Sequence, residues 1–218
     1  MRIHVKIRSN HAIIPYSHQH LLTGVIHKWF GWNKLHGNLS LYSFSRLKGV
    51  TNIKGGLQTD TYCNFFISAF DKELINSIVK GAYNDPTMFC SLIVEEISIE
   101  EEPEMNDRDY FYAASPILVK RLTDHGMKHY IYSDEETDAM LKETLLTKMK
   151  QVGLEDETLE IHFDRSYLRA STKLIDYKGV INRVSLCPII IKGTPETKKF
   201  VWNVGLGNST GVGFGAIE

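Results

Sequence analysis

Acidic residues are absent from the first 59 positions of this 218-residue chain. The same segment contains eight lysines and arginines and six of the nine histidines. Residues 60–164 reverse the balance with a net charge of −14, and residues 165–199 carry +6. Two basic ends around an acidic middle favour a polyanion-binding face assembled from both ends. The alternative is a solvated mixed surface whose charges happen to segregate.

Long apolar runs and cysteines are also scarce. No stretch approaches the roughly 18 consecutive apolar residues of a membrane span, and the first eight residues alternate charged with apolar side chains, unlike a signal peptide. Cys63, Cys90 and Cys187 are too few and too far apart for a disulfide framework or a zinc knuckle. We therefore expect a reduced, cytoplasmic protein with no membrane partner, in which each cysteine is a small buried hydrophobe.

Apolar spacing predicts a βαββαβ order in the first half of the chain. The predicted strands are 2–8, 41–47, 61–70 and 90–99. The predicted helices follow Ser17 and Asp71 as N-caps and run to about Lys34 and Ala82. Lys54-Gly55-Gly56 is a predicted turn. This order is the split β-α-β arrangement of ferredoxin-like domains.

The second half repeats the pattern with insertions. An acidic segment at 100–109, which contains Pro103, is a predicted linker. Ser133 and Glu136 form a capping box before a helix that reaches about Val152, and a short helix begins near Pro195. The predicted strands are 110–114, 159–164, 167–175, 180–191 and a last strand after the final glycines. The predicted fold is α+β, with two tandem ferredoxin-like domains at 1–105 and 110–218 and a glycine-rich C-terminal loop.

Histidines line one side of the first predicted helix. His20, His27 and Lys34 are seven residues apart and share a stripe opposite the apolar side, and His36 follows just after the helix. Two histidines can act as base and acid near neutral pH. Without an acidic residue nearby, this region cannot by itself build a carboxylate-containing triad or a carboxylate metal site, which disfavours a two-metal nuclease. The alternative is that His20 and His27 are ordinary exposed helix residues.

Glycine is concentrated at the C-terminal end of the chain. Such density lets backbone N–H groups converge on phosphate, or lets the backbone press against a neighbouring helix. A dinucleotide fingerprint or a Walker loop is excluded, because both need a helix directly after the glycines and only three residues follow the last one. The glycines are Gly205, Gly207, Gly211, Gly213 and Gly215.

Gly205-Leu206-Gly207, followed after five residues by Gly213-Phe214-Gly215, resembles the terminal glycine-rich loop of the RAMP superfamily. Within that superfamily, the chain is most similar to the endoribonucleases that cut CRISPR precursor RNA inside each repeat. The similarity extends along the chain in order and spacing, although only the glycine array is specific by itself. The further matching segments are 15–19, 22–27, 35–36, 41–45 and 115–117.

The resemblance implies two ferredoxin-like domains, no metal and no cofactor. It implies cleavage by attack of a ribose 2′-hydroxyl on the adjacent phosphate, with CRISPR repeat RNA as the partner. The family histidine falls on His36, and a second catalytic position, often a tyrosine in relatives, falls on His27. The family lysine falls near Ser40, so the charge-stabilising role stays open between Lys34 and Lys48. Further effector-complex subunits and a homodimer are left open as partners.

RNA contacts are expected from the basic C-terminal segment and from the glycine-rich loop. The basic candidates are Arg169, Lys173, Lys178 and Arg183, on consecutive predicted strands around a turn. The loop candidates are the five glycines together with Ser209 and Thr210. Tyr16 and Trp32 are candidates for base stacking, whereas Trp29 lies on the apolar side of its helix.

Two other functions remain open at the level of sequence. One is a RAMP-type subunit that holds guide RNA without cutting it, which the unassigned lysine favours. The other is a tandem ferredoxin-like module that binds a small anionic ligand or a partner protein.

Overall fold

Antiparallel strand pairing organises the N-terminal half around one four-stranded sheet. The computed structural model describes residues 1–9, 11–31, 39–59 and 61–218. The strands of this half are β1 (Arg2–Arg8), β2 (Tyr42–Phe44), β3 (Thr51–Ile53), β4 (Gly56–Gln58), β5 (Tyr62–Ala69) and β6 (Ile93–Glu100). Its helices are α1 (Gln19–Phe30) and α2 (Lys72–Asn84). The sheet order is β2-β5-β1-β6, and β3 and β4 form a separate hairpin.

Alternation along β1 decides which face of this sheet is buried. Ile3, Val5 and Ile7 are buried in one apolar cluster with the inner sides of α1 and α2. Leu22 and Trp29 of α1 belong to the same cluster, which confirms the apolar stripe expected from the sequence.

Helix ends were harder to predict than helix cores. The prediction of Ser17 as N-cap is wrong, because α1 begins at Gln19 after His18, which makes no capping hydrogen bond. Asp71 is confirmed as the cap of α2, since its carboxylate accepts the Glu73 N–H at 2.9 Å. The fourth strand begins at Ile93, after a 3₁₀ turn in which Cys90 has a φ of 52° and is only partly buried.

The C-terminal half builds a second antiparallel sheet. Its strands are β7 (Tyr110–Phe111), β8 (Val119–Thr123), β9 (Gly126–Tyr130), β10 (Glu160–Phe163), β11 (Ser171–Tyr177), β12 (Val180–Leu186) and β13 (Ile189–Lys192). Its helices are α3 (Thr137–Gln151) and α4 (Pro195–Val204). The sheet order is β10-β13-β7, and an isolated bridge between Ala113 and Ile217 adds the chain end beside β7.

Both sheets place their four segments in the same spatial order, second-third-first-fourth along the chain. With two helices each, the halves confirm the predicted α+β, tandem ferredoxin-like fold. Each half has its own main apolar cluster. The boundaries 1–105 and 110–218 stay a prediction.

The insertions of the second half account for the wrong predictions there. The β8–β9 hairpin was not expected, and the single strand predicted at 180–191 is two strands separated at Pro188, which has no N–H for a ladder. The capping box is wrong, since α3 begins at Thr137 after Glu136, which makes no capping hydrogen bond. The last strand is reduced to the bridge at Ile217.

Arg2 joins the two halves. Its side chain is 2% exposed, and its guanidinium lies 3.8 Å from the ring centre of Phe66 and 3.6 Å from that of Trp202. It donates hydrogen bonds to Ser68 Oγ at 2.6 Å and to the carbonyls of Trp202 and Ile217 at 3.0 and 2.7 Å. A residue of β1 therefore satisfies backbone carbonyls of α4 and of the chain end.

Of the acidic segment 100–109, which was predicted as a linker, Glu100 ends β6 and residues 101–109 contain no strand or helix, but the segment is held in place. Lys198 on α4 donates to the carbonyls of Met105 and Asn106 and to the carboxylate of Asp109. Within the described ranges, no helix is both long and apolar enough to cross a membrane.

Candidate functional site

A cleft of about 500 Å³ lies where the two halves meet. The N-terminal half supplies the start of α1, the segment after β2 and the β3–β4 hairpin, and the C-terminal half supplies β11 and the glycine-rich loop. The residues that line it include Tyr16, His18, Arg46, Lys173, Asp176 and Gly213. The basic end segments of the sequence therefore do meet, at Arg46 and Lys173.

Folding neutralises most of the charge of the acid-free segment. Five of its eight basic residues pair with acids from later in the chain: Arg2–Glu100, Lys6–Glu96, Arg8–Glu95, Lys28–Asp85 and Lys48–Glu218. Arg46 and Lys54 form no ion pair with any residue that the structure describes. Burial lowers the pKa of Arg46, yet an arginine keeps its charge. Arg46 is therefore a partly buried cation without an ion-pair partner among the described residues, although Asp176 lines the same cleft.

The glycine-rich loop packs against the N-terminal half. Its five glycines are buried. Gly213 has a φ of 92°, and a side chain there would collide with the Phe44 ring. A side chain at Gly211 would collide with Ser40 and Tyr42. Gln19 of α1 donates to the Val212 carbonyl at 2.7 Å, so close backbone packing, one of the two expected roles of the glycines, is what the structure displays.

Several backbone N–H groups of the loop donate hydrogen bonds within the protein. Gly205, Gly213 and Gly215 donate to the carbonyls of Val201, Thr210 and Pro116, respectively. Ser209 has a left-handed φ of 62° and is partly exposed, as is Asn208. The Asn208–Ser209 corner is thus partly accessible to a ligand, as is Val212.

His27 is connected to the loop through Tyr42. The His27 Nε2 atom lies 3.1 Å from the Tyr42 hydroxyl, which donates to the Gly211 carbonyl at 3.0 Å. Because the single hydroxyl proton goes to Gly211, this pattern requires His27 Nε2–H to be the donor to Tyr42. Burial raises the pKa of Tyr42 well above its usual range, so the hydroxyl keeps its proton at neutral pH. The ring of His27 is therefore held in one orientation beside the loop.

Lys148 of α3 lies beneath the same loop. Its side chain is 2% exposed, and its amine donates to Thr210 Oγ1 at 3.0 Å and to the carbonyls of Val204 and Gly205 at 3.3 and 3.5 Å. It forms no ion pair within the part of the chain that the structure describes. Burial lowers the pKa of Lys148 to about 7.

Replacing Lys148 with methionine is expected to change the pH dependence of stability. An unfolded lysine titrates near 10.4, so between about pH 7 and 10 the unfolded chain binds more protons at Lys148 than the folded protein does. Wild-type stability should then rise with pH relative to Lys148→Met, by up to about 1.4 kcal/mol per pH unit. Urea unfolding at pH 7, 8 and 9 measures this difference. Lys150→Met, at an exposed position of the same helix, is the control, and parallel profiles for wild type and Lys148→Met would contradict the expectation.

Of the four predicted catalytic residues, His27 and Lys48 are among those that the structure describes. His36, Lys34 and Trp32 lie outside the described residues. Lys48 pairs with Asn64 of β5 and Tyr42 with Ala69, five residues further along the strand, or about 17 Å. Lys48 binds Glu218 instead. Lys48 is therefore bound to an acid and lies near the other end of β5 from Tyr42, and the choice between Lys34 and Lys48 for the charge-stabilising role stays a prediction.

The basic C-terminal candidates divide between surfaces. Arg169, Lys173, Lys178 and Arg183 are all exposed. Lys173 lines the cleft, whereas Arg183 pairs with Leu174 and so faces the other side of the β11–β12 hairpin. Lys178 occupies the turn with a φ of 53°. Arg169 lines a second, smaller cavity.

Three residues of the site were missed by reasoning from the sequence. Tyr42 lies in a segment that carries the family resemblance, but nothing marked its hydroxyl. Arg46 belongs to the acid-free segment and was not distinguished from its paired neighbours. Lys148 could have been found, because it continues the apolar stripe of Leu141 and Leu145 on α3. Among the described residues, no three His, Cys, Asp or Glu side chains come together to hold a metal ion.

Two sheets of identical βαββαβ order, joined through a buried glycine-rich C-terminus, define a tandem ferredoxin-like protein of the RAMP type. Residues 100–218 match the family described as CRISPR associated protein Cas6, C-terminal. This match spans more than half of the chain, and the chain belongs to the Cas6 family of CRISPR-associated proteins. Membership indicates a role in CRISPR RNA processing.

Several known proteins are similar over the whole length. A Pyrococcus furiosus protein described as CRISPR-associated and endoribonuclease-like is 25% identical, with 100% of this chain and 98% of that protein covered. A solved Cas6-related protein from Pyrococcus furiosus superposes with a TM-score of 0.87 at 23% identity, covering 100% of this chain and 97% of its own. A RAMP protein described as binding different RNA substrates superposes with a TM-score of 0.86 at 21% identity, covering 100% and 98%.

Proposed function

We propose that the protein is a metal-independent endoribonuclease that cleaves CRISPR precursor RNA within the repeat to give guide RNAs. The ribose 2′-oxygen attacks the adjacent phosphorus, and the bond from phosphorus to the 5′-oxygen breaks. The products are a 2′,3′-cyclic phosphate and a 5′-hydroxyl. His36 and His27 share the proton transfers, one accepting the 2′-hydroxyl proton and the other protonating the leaving 5′-oxygen.

The meeting of Arg46 and Lys173 in one cleft is the observation that carries the proposal. A partly buried cation without an ion-pair partner is costly, and a phosphate group would relieve that cost. Ser209 and Asn208 offer polar groups at the accessible corner of the loop. Tyr16 lines the same cleft and is exposed, so it is placed to contact a base.

The position of His27 supports a role in proton transfer. Its ring is oriented by Tyr42, which is in turn bound to Gly211 of the loop. His27 thus adjoins the glycine-rich loop, and the assignment of His36 rests on the family resemblance. Lys34 and Lys48 are the candidates for offsetting phosphate charge.

A non-cleaving RAMP-type subunit that holds guide RNA is the second candidate. Its specific support is Lys48, a candidate for the charge-stabilising role, which is bound to Glu218 in the structure. The relative described as a RAMP protein that binds different RNA substrates also supports it.

Incubation of the purified protein with its cognate repeat RNA in excess EDTA separates the two candidates. Endoribonuclease activity predicts one specific cut with a 2′,3′-cyclic phosphate end, detected by mass spectrometry of the product. Tight binding without a cut supports the non-cleaving subunit instead. Cleavage that EDTA abolishes and added Mg²⁺ restores would contradict the metal-independent mechanism.

A further inference from the structure

Three tyrosines form an aromatic cluster on the open face of the second sheet. Tyr110 and Tyr112 flank buried Phe111, so both point away from the apolar cluster. The ring centres of Tyr110 and Tyr112 are 5.3 Å apart, and those of Tyr112 and Tyr167 are 6.3 Å apart, both pairs edge to face. Tyr112 nevertheless remains 51% exposed. An open aromatic ring is therefore held in a defined place.

Other contacts hold this cluster rigid. The Tyr110 hydroxyl donates to Asp164 at 2.8 Å, and Asp164 also accepts from the backbone N–H and the hydroxyl of Ser166. The backbone of Tyr112 exchanges two hydrogen bonds with Glu218, at 2.7 and 2.9 Å. A preorganised aromatic surface loses little conformational entropy when a planar ligand stacks on it.

A small cavity of about 220 Å³ adjoins the cluster. Tyr112 and Tyr167 line it together with Arg169 and Cys187. It is smaller than typical sites for whole small molecules, which have volumes of roughly 300–1,000 Å³. Its size fits one planar group of a longer ligand. Arg169 is exposed and forms no ion pair with any described residue, so its guanidinium is available to a phosphate beside that group.

We infer that Tyr112, Tyr167 and Arg169 form a subsite that stacks one unpaired base of single-stranded RNA and binds the neighbouring phosphate. Aromatic side chains on an open sheet face are a general way to hold unstacked bases. The inference rests on the proposed function, since it assumes that RNA is the ligand. It adds a contact outside the cleft of Arg46 and Lys173, so one RNA strand would be held at two separate places.

Fluorescence anisotropy with labelled oligoadenylate tests the subsite. Tyr112→Ala is expected to weaken binding about 5- to 150-fold, the range measured for loss of one base–aromatic stack. Tyr112→Phe and Tyr112→Trp should bind like wild type, because each keeps an aromatic face. Tyr83→Ala is the matched control, since Tyr83 is 88% exposed on α2 and remote from these tyrosines in the sequence.

An abasic oligomer of the same length distinguishes stacking from phosphate binding. Tyr112→Ala should leave its affinity unchanged, whereas Arg169→Ala should weaken both oligomers and reduce the salt dependence by about one phosphate contact. Equal oligoadenylate binding by Tyr112→Ala and Tyr83→Ala would overturn the subsite alone. Failure of the wild-type protein to bind either its repeat RNA or oligoadenylate would overturn the proposed function as well.

Discussion

Replacement of His36 by alanine is expected to slow RNA cleavage by about 10²- to 10⁴-fold, the usual contribution of one general acid or base. The Kd for repeat RNA should change little, because in the proposed function the RNA is bound by charge and stacking elsewhere, at Arg46 and Lys173 among others. Single-turnover cleavage at saturating protein measures the chemical step separately from binding. His20→Ala is the control, since His20 shares the stripe on α1 but binds the Ser17 carbonyl at 2.7 Å. If His36→Ala cleaves at the wild-type rate, His36 has no catalytic role.

His27→Ala extends the same experiment. If two histidines act as base and acid, the wild-type rate passes through a maximum as pH changes, and His27→Ala should lose one limb of that profile. Tyr42→Phe keeps the ring but removes the hydroxyl that orients His27, so this variant tests the orientation of His27 separately from its presence. A His27→Ala profile with unchanged shape and height would show that His27 only packs beside the loop.

Loss of Arg2 should have the largest effect on stability. In Arg2→Met, the carbonyls of Trp202 and Ile217 lose their donor in a buried place, and Ser68 loses a partner. Each unsatisfied buried group costs about 1–3 kcal/mol, so the free energy of unfolding should fall by on the order of 3–5 kcal/mol. Urea unfolding followed by tryptophan fluorescence measures this change, because Trp202 stacks directly on the guanidinium.

Arg8→Met is the matched control for that experiment. Arg8 lies on the same strand, but its side chain is exposed and pairs with Glu95 at the surface. Its replacement should alter the free energy of unfolding by no more than about 0.5 kcal/mol. Similar losses in both variants would mean that Arg2 contributes through the strand in general and not through its contacts with α4 and the chain end.

Local patterns predicted the elements better than their ends. The alternation of β1 and the stripe of α1 were visible in the sequence because burial on one face imposes a period. The caps at Ser17 and Ser133 failed because a capping residue type occurs in many places, and tertiary contacts decide where a helix starts. The β8–β9 hairpin was missed because only two of its ten strand residues are buried, so it carries little apolar periodicity.

The sequence alone determined the βαββαβ repeat, the family resemblance and the set of histidines, because periodicity and motif spacing are properties of neighbouring residues. Only the tertiary structure decided which basic side chains remain without an ion-pair partner. Lys6 and Arg8 pair with acids because strand pairing brings β6 beside β1, and Lys28 pairs with Asp85 because α2 packs against α1. Arg46 has no ion-pair partner among the described acids. The same packing of distant segments placed Lys148 under the loop and Arg169 beside Tyr112. Contacts between residues far apart in the chain depend on how the two halves pack, and no local pattern encodes them.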